Sequence, residues 1–136
     1  MARIYEKKNV TYCDYDSVSK TIYVYWNSLY KDDIIRECVE VQMKKVEAGA
    51  LSIIIDVKEA AGTPSDDTQR WFAKEVFPFY DQHGLKQLIT ILPKSAVAKV
   101  GASGWNKTAS SFKFDIYETD SIENAKKLTR STARAA

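Results

Sequence analysis

Leu51-Ser52-Ile53-Ile54-Ile55-Asp56-Val57 is a short, almost unbroken apolar run. A strand with one face in water alternates apolar and polar residues. A run that is apolar on both faces belongs to a strand covered on both sides, the usual condition in a parallel sheet flanked by helices. The preceding stretch supports that reading. From about Lys31 to Ala48, the residues Ile34, Ile35, Cys38, Val39, Met43 and Val46 recur at helical spacing, while Arg36, Glu37, Glu40, Lys44, Lys45 and Glu47 fill the other side. Asp32 and Asp33 occupy the first turn, where the helix dipole favours negative charge, and Gly49 is placed to end the helix.

Upstream, Val10 to Tyr15 and Thr21 to Trp26 are β-branched and aromatic stretches separated by the polar Asp16-Ser17-Val18-Ser19, which predicts a hairpin. Downstream, Ala61-Gly62 is a loop and Thr63-Pro64-Ser65-Asp66 opens a second helix. Thr63 is its expected cap, Pro64 suits the first position, and Asp66 completes a cap-x-x-acid box. Trp71, Phe72, Val76, Phe79 and Tyr80 form its apolar face, Pro78 predicts a kink or an end, and Gly84 stops it. Leu85 to Leu92 reads as a strand ended by Pro93. Ser95 to about Lys107 reads as a short helix carrying Ala96, Val97 and Val100, weakened by Gly101 and Gly104. Phe112 to Tyr117 alternates as a last strand. Asp120 or Ser121 caps a final helix with Ile122, Ala125 and Leu128, and Thr129 to Ala136 reads as a frayed tail.

The element order is therefore β-β-α-β-α-β-α-β-α. It defines an α/β chain with a mostly parallel central sheet and an antiparallel first strand, because a tight turn joins the first two strands. The 136 residues read as one domain, long enough to bury a core without disulfides or a metal.

Composition narrows the partners. With 45% hydrophobic and 28% charged residues the chain has the balance of a globular protein. A net charge of +2 is too near neutral to argue for nucleic acid or an anionic membrane surface, so no nucleic-acid partner is expected. No apolar stretch approaches the ~18 residues needed to span a bilayer. The charged start, Arg3 to Lys8, does not resemble a signal peptide, so a cytoplasmic location is expected. Cys13 and Cys38 form no C-x-x-C pair, and His83 is the only histidine. Two reduced apolar thiols are therefore expected, with no metal and no cofactor.

The element order resembles that of the STAS domain, the fold of the bacterial anti-sigma factor antagonists. Several strings resemble a STAS-like group of small bacterial proteins: Trp26 at the end of a strand, Ile53-Ile54-Ile55-Asp56, the Thr63-Pro64-x-Asp66-Asp67 helix start followed by Trp71, Val76-Phe77-Pro78, and Ile91-Leu92-Pro93-Lys94-Ser95. The resemblance spans roughly residues 20 to 128 and implies a fold more than an activity. Regulatory STAS proteins carry a phosphorylatable serine just after the strand that Asp56 ends here. In this chain Val57 and Lys58 follow, so the resemblance does not imply that switch. Thr63 and Ser65 are the nearby candidate regulatory hydroxyls. Asp66 and Asp67 would repel a phosphate there, and helix capping accounts for both hydroxyls better.

Other constellations have structural explanations. His83 beside Gly84 suits a helix end. Asp14, Asp16, Asp32, Asp33, Asp66 and Asp67 lack the spacing, central glycine and terminal glutamate of a calcium loop. Gly101-Ala102-Ser103-Gly104-Trp105-Asn106-Lys107 lacks the pattern of a phosphate loop. Lys94, Lys99, Lys107 and Lys113 with Trp105 and Phe112 read as a solvated face rather than a single-strand nucleic-acid groove.

Phe77 falls away from the other aromatics of its helix at ideal helical spacing, which suggests aromatic residues on more than one side. Trp71, Phe77, Phe79, Tyr80 and Trp105 are accordingly the candidate interaction surface. The first functional expectation is a non-enzymatic STAS-like module that binds a protein, a second copy of the chain included. The second is a domain that binds a small apolar ligand or lipid, as the related CRAL-TRIO architecture does. The third is an enzyme built from scattered residues. An apolar cavity would favour the second, and a dry core with a flat apolar patch the first.

Overall fold

The computed structural model describes residues 1–93, 95–96, 105–108 and 110–135. Its elements are β1 (Ala2–Lys7), β2 (Thr11–Asp16), β3 (Thr21–Trp26), α1 (Asp32–Glu47), β4 (Ser52–Asp56), α2 (Asp66–Trp71), a π-helical turn (Phe72–Val76), α3 (Phe77–Gln82), β5 (Gln87–Ile91), β6 (Trp105–Thr108), β7 (Asp115–Thr119) and α4 (Ile122–Ala135). One mixed sheet runs in the order β1-β2-β3-β4-β5-β7-β6. Its centre is parallel, β3 with β4, β4 with β5 and β5 with β7, as the α/β reading requires. The first strands are antiparallel, and β6 pairs antiparallel with β7 at the far edge.

The apolar run Leu51 to Val57 sits at the middle of this sheet, as β4. Ile53 and Ile54 of β4 are buried on opposite faces, which is why no polar residue interrupts them. On one face Ile22, Val24, Ile53 and Leu88 pack under α1, through Ile35, Cys38, Val39 and Val46, and under Val76 and Tyr80. On the other, Tyr23, Ile54, Ile89 and Ile91 meet Ala125 of α4, flanked by Ile122 and Leu128.

Several expectations are corrected. Arg3 to Lys7 belong to an edge strand, β1, that the charged sequence did not announce. The cap of α2 is Ser65, not Thr63: its Oγ accepts the Thr68 N–H at 3.2 Å, and Thr68 rather than an acid stands at the third helical position. The last central strand is Asp115–Thr119, so Phe112 and Phe114 precede it. Ser121 caps α4, accepting the Asn124 N–H at 3.3 Å. That helix runs to Ala135 with Thr129 buried, so the stretch read as a frayed tail is helical up to there. Trp105 to Lys107, read as a helix end, lie in β6; the rest of that helix from Val97 on, the segment Gly101 to Gly104, and Lys94 and Lys99 lie outside the described residues.

The kink expected at Pro78 takes a specific form. The Phe77 N–H bonds to the carbonyl of Phe72, five residues back, and this wider turn admits a proline with no N–H to give. In an unbroken α-helix Phe72 and Phe77 would stand about 140° apart around the axis. The wider turn rotates them together, with ring centroids 5.8 Å apart. Trp71, Phe72, Phe77 and Phe79 all pack, half-buried, against the core, so the aromatic excess is not split between two opposed sides.

Candidate ligand cavity

A cavity of about 160 Å³ lies between the sheet and its helices, toward the carboxyl ends of β3 and β4. Val24 and Trp26 of β3, Ile55, Val57 and Leu88 form its floor. Ile35, Val39 and Gln42 come from α1, spaced at successive helical turns, and Phe72, Phe77 and Tyr80 come from the helix bent by the π turn. Leu29 and Pro64 complete it from two loops. In open α/β sheets this end of the strands is where ligands bind. The π turn matters directly, because without it Phe72 and Phe77 could not both face the same space.

The two loops at this end are tied to each other. The Leu29 N–H donates to the Ala61 carbonyl at 2.8 Å, and the Ala61 N–H donates to the Asn27 carbonyl at 3.1 Å. The Ser65 N–H donates to Asp32 Oδ1 at 3.1 Å. That bond and the Thr68 hydroxyl hold the Asp32 carboxyl below its usual range. Gly62, at φ +85°, lies against the ring of Tyr30 in a backbone conformation that only glycine adopts without strain.

Tyr80 and Gln42 of the lining are buried, and so are the thiols of Cys38, which accepts from Gln42 Nε2 at 3.5 Å, and Cys13. Burial, and then Cys38 and Cys13, push the Tyr80 hydroxyl far above the ordinary tyrosine range. The hydrogen bond with Cys38, followed by burial, keeps the Cys13 thiol protonated well beyond the usual range. Both cysteines are free.

Of the residues singled out from sequence, Phe77 and Tyr80 line the cavity. Trp71 is not in its lining and lies under the Arg36 guanidinium, 5.0 Å from the ring centre, and Phe79 meets the exposed His83 in a tilted pair with ring centroids 4.2 Å apart. Trp105 is in the edge strand β6. Thr63 is exposed, and Ser65 is engaged in capping α2. Gln42 was missed, although it left a trace: it lies on the apolar stripe of α1 between Cys38 or Val39 and Val46, where an amide is out of place.

A second polar cluster occupies the opposite face. Tyr23 bonds Asp56, Tyr25 bonds Glu59, Tyr12 stacks on Tyr25 at 5.2 Å, and Arg3 lies 4.3 Å over Tyr12. These groups satisfy one another. Among the described residues no cluster of His, Cys, Asp or Glu could hold a metal ion, and no helix is long and apolar enough to cross a membrane.

No protein-family model matches the chain, and neither the curated proteins nor the solved structures hold a significant match.

Proposed function

We propose that this chain binds a small, largely apolar molecule in the cavity between the sheet, α1 and the α2–α3 helix. The observation that carries the reading is the cavity itself. Its volume is about 160 Å³, and twelve of its thirteen lining residues are apolar or aromatic, Gln42 being the exception. Apolar cavities of roughly 150 Å³ stay dry and take up benzene-sized molecules. Pockets for drug-sized ligands are larger, about 300–1,000 Å³, so the site suits one ring and is too small for a lipid.

The alternative, a STAS-like protein-binding module, draws on the fold resemblance, the absence of a recognisable catalytic set and the surplus aromatics. Those of the described helix are packed against the core, and the large apolar side chains most exposed among the described residues, Met1, Val18 and Tyr30, lie on other elements. The packing therefore supports ligand binding ahead of protein binding, and either reading is non-enzymatic.

Thermal melts with benzene, toluene and indole as probes test the proposal. A ligand that binds only the folded chain stabilises it by about 2.7 kcal/mol at a hundredfold excess over Kd. The expected result is a saturable rise in Tm with at least one probe, lost in Val39→Phe, whose larger side chain fills the cavity. No rise with any probe, or an equal rise in Val39→Phe, would overturn it.

A further inference from the structure

Two polar side chains interrupt the apolar wall, and neither has a full set of partners. Gln42 is 3% exposed; its Nε2 donates to Cys38 Sγ at 3.5 Å, and its amide oxygen accepts no hydrogen bond among the described residues. Tyr80 is 2% exposed, lines the same cavity, and its hydroxyl makes no hydrogen bond among the described residues. Both side chains belong to the lining of this one cavity, Gln42 from α1 and Tyr80 from α3. Buried polar groups are nearly always paired, so two incompletely paired side chains in the lining of one cavity ask for an occupant.

Counting donors and acceptors defines that occupant. The amide oxygen only accepts, and the tyrosine hydroxyl both donates and accepts. One ligand hydroxyl satisfies both, donating to Gln42 and accepting from Tyr80. A carboxylate only accepts, so it would leave the amide oxygen unpaired. It would also bring a charge into a cavity lined by no Lys, Arg or His. An ammonium would meet no carboxylate there. The remaining wall is aromatic and aliphatic, with Trp26, Phe72 and Phe77 offering faces and edges to a flat ring.

Resting on the ligand-binding reading above, we infer that the ligand is a neutral one-ring aromatic alcohol of the phenol class, its hydroxyl held between Gln42 and Tyr80 and its ring in the apolar part of the cavity. Phenol and toluene are near-isosteric, differing by a hydroxyl in place of a methyl group, and benzoate adds the charge. Titration calorimetry of the intact chain with these three probes, repeated on Tyr80→Phe, reads the inference. Phenol should bind about tenfold tighter than toluene, the size expected from one or two neutral hydrogen bonds, and benzoate should not bind. In Tyr80→Phe the preference for phenol should shrink severalfold while toluene binding persists, which also shows that the variant is folded. Equal affinities for toluene and phenol in the parent, or binding of benzoate, would overturn the phenol assignment and leave the cavity reading standing. Failure of all three probes to bind the parent would overturn both.

Discussion

The hydroxyl of Tyr23 donates a 2.7 Å hydrogen bond to Asp56 Oδ2, joining the neighbouring parallel strands β3 and β4 on the α4 side of the sheet. Burial, and then this bond, push the Tyr23 hydroxyl far above its ordinary range. The other oxygen, Asp56 Oδ1, accepts the Lys58 N–H at 3.2 Å and so shapes the turn that follows β4. A hydrogen bond to a charged acceptor contributes about 1.5–3 kcal/mol. Tyr23→Phe should therefore destabilise by that order. Asp56→Asn, which keeps an acceptor, should cost less than Asp56→Ala. Urea melts of the single and double variants check this: additive effects of Tyr23→Phe and Asp56→Ala would show that the bond contributes nothing.

Gly62 gives a sharper local test. A Cβ built on it would stand 2.6 Å from Tyr30 Cε1, and its φ of +85° disfavours any L side chain. Tyr30 is 71% exposed, so its ring can swing into solvent at little cost. The backbone strain has no such escape and should dominate. Gly62→Ala is expected to lower stability by about 1–2 kcal/mol, and adding Tyr30→Ala should restore only a minor part. Full restoration in the double variant would assign the effect to the ring instead.

The start of α2 separates two neighbouring hydroxyls. Ser65 accepts the Thr68 N–H, whereas Thr63 is exposed in the loop before it. Ser65→Ala should cost about 1 kcal/mol through loss of the cap, and Thr63→Ala should be nearly neutral. Chemical denaturation distinguishes them, and the reverse order would place the cap back at Thr63.

That cap also marks how far the sequence could be read. The central strands and α1 were legible because Ile53-Ile54-Ile55 and the Ile35–Cys38–Val39–Val46 stripe combine period, length and a glycine stop. β1 was not, since Arg3, Glu6 and Lys7 look like a solvated terminus; its pairing with β2, where Arg3 meets Asp14, is a tertiary fact. β6 was hidden for a similar reason, its place set by pairing with β7. Pro78 announced a disturbance but not its form. Whether the helix breaks, bends or widens depends on what surrounds Phe72 and Phe77, and the widening decides where those rings point. The cavity could not be read at all, because a void is the residue of packing among several elements. Gln42, polar on an apolar stripe, was its one visible sign.

Alkaline pH offers a last test, centred on Tyr80. In the unfolded chain a tyrosine loses its proton near pH ~10. In the fold, burial first and the neighbouring Cys38 and Cys13 thiols second hold the Tyr80 proton to far higher pH. Between those limits the native state binds more protons than the unfolded state, so stability falls as pH rises. The contribution is fully present below about pH 10 and is lost progressively above it. Tyr5 and Tyr23, also raised by burial and by carboxylate partners, act in the same direction. Removing one such proton should flatten the decline by as much as ~1.4 kcal/mol per pH unit. Tyr80→Phe is therefore expected to match or exceed the parent in stability near neutrality, because it deletes a buried hydroxyl without a partner, and to gain on it steadily above pH 10. Urea melts across the range from neutral to strongly alkaline measure both slopes. Parallel slopes for parent and variant would mean that Tyr80 titrates alike in both states, and hence that its hydroxyl reaches water rather than being buried.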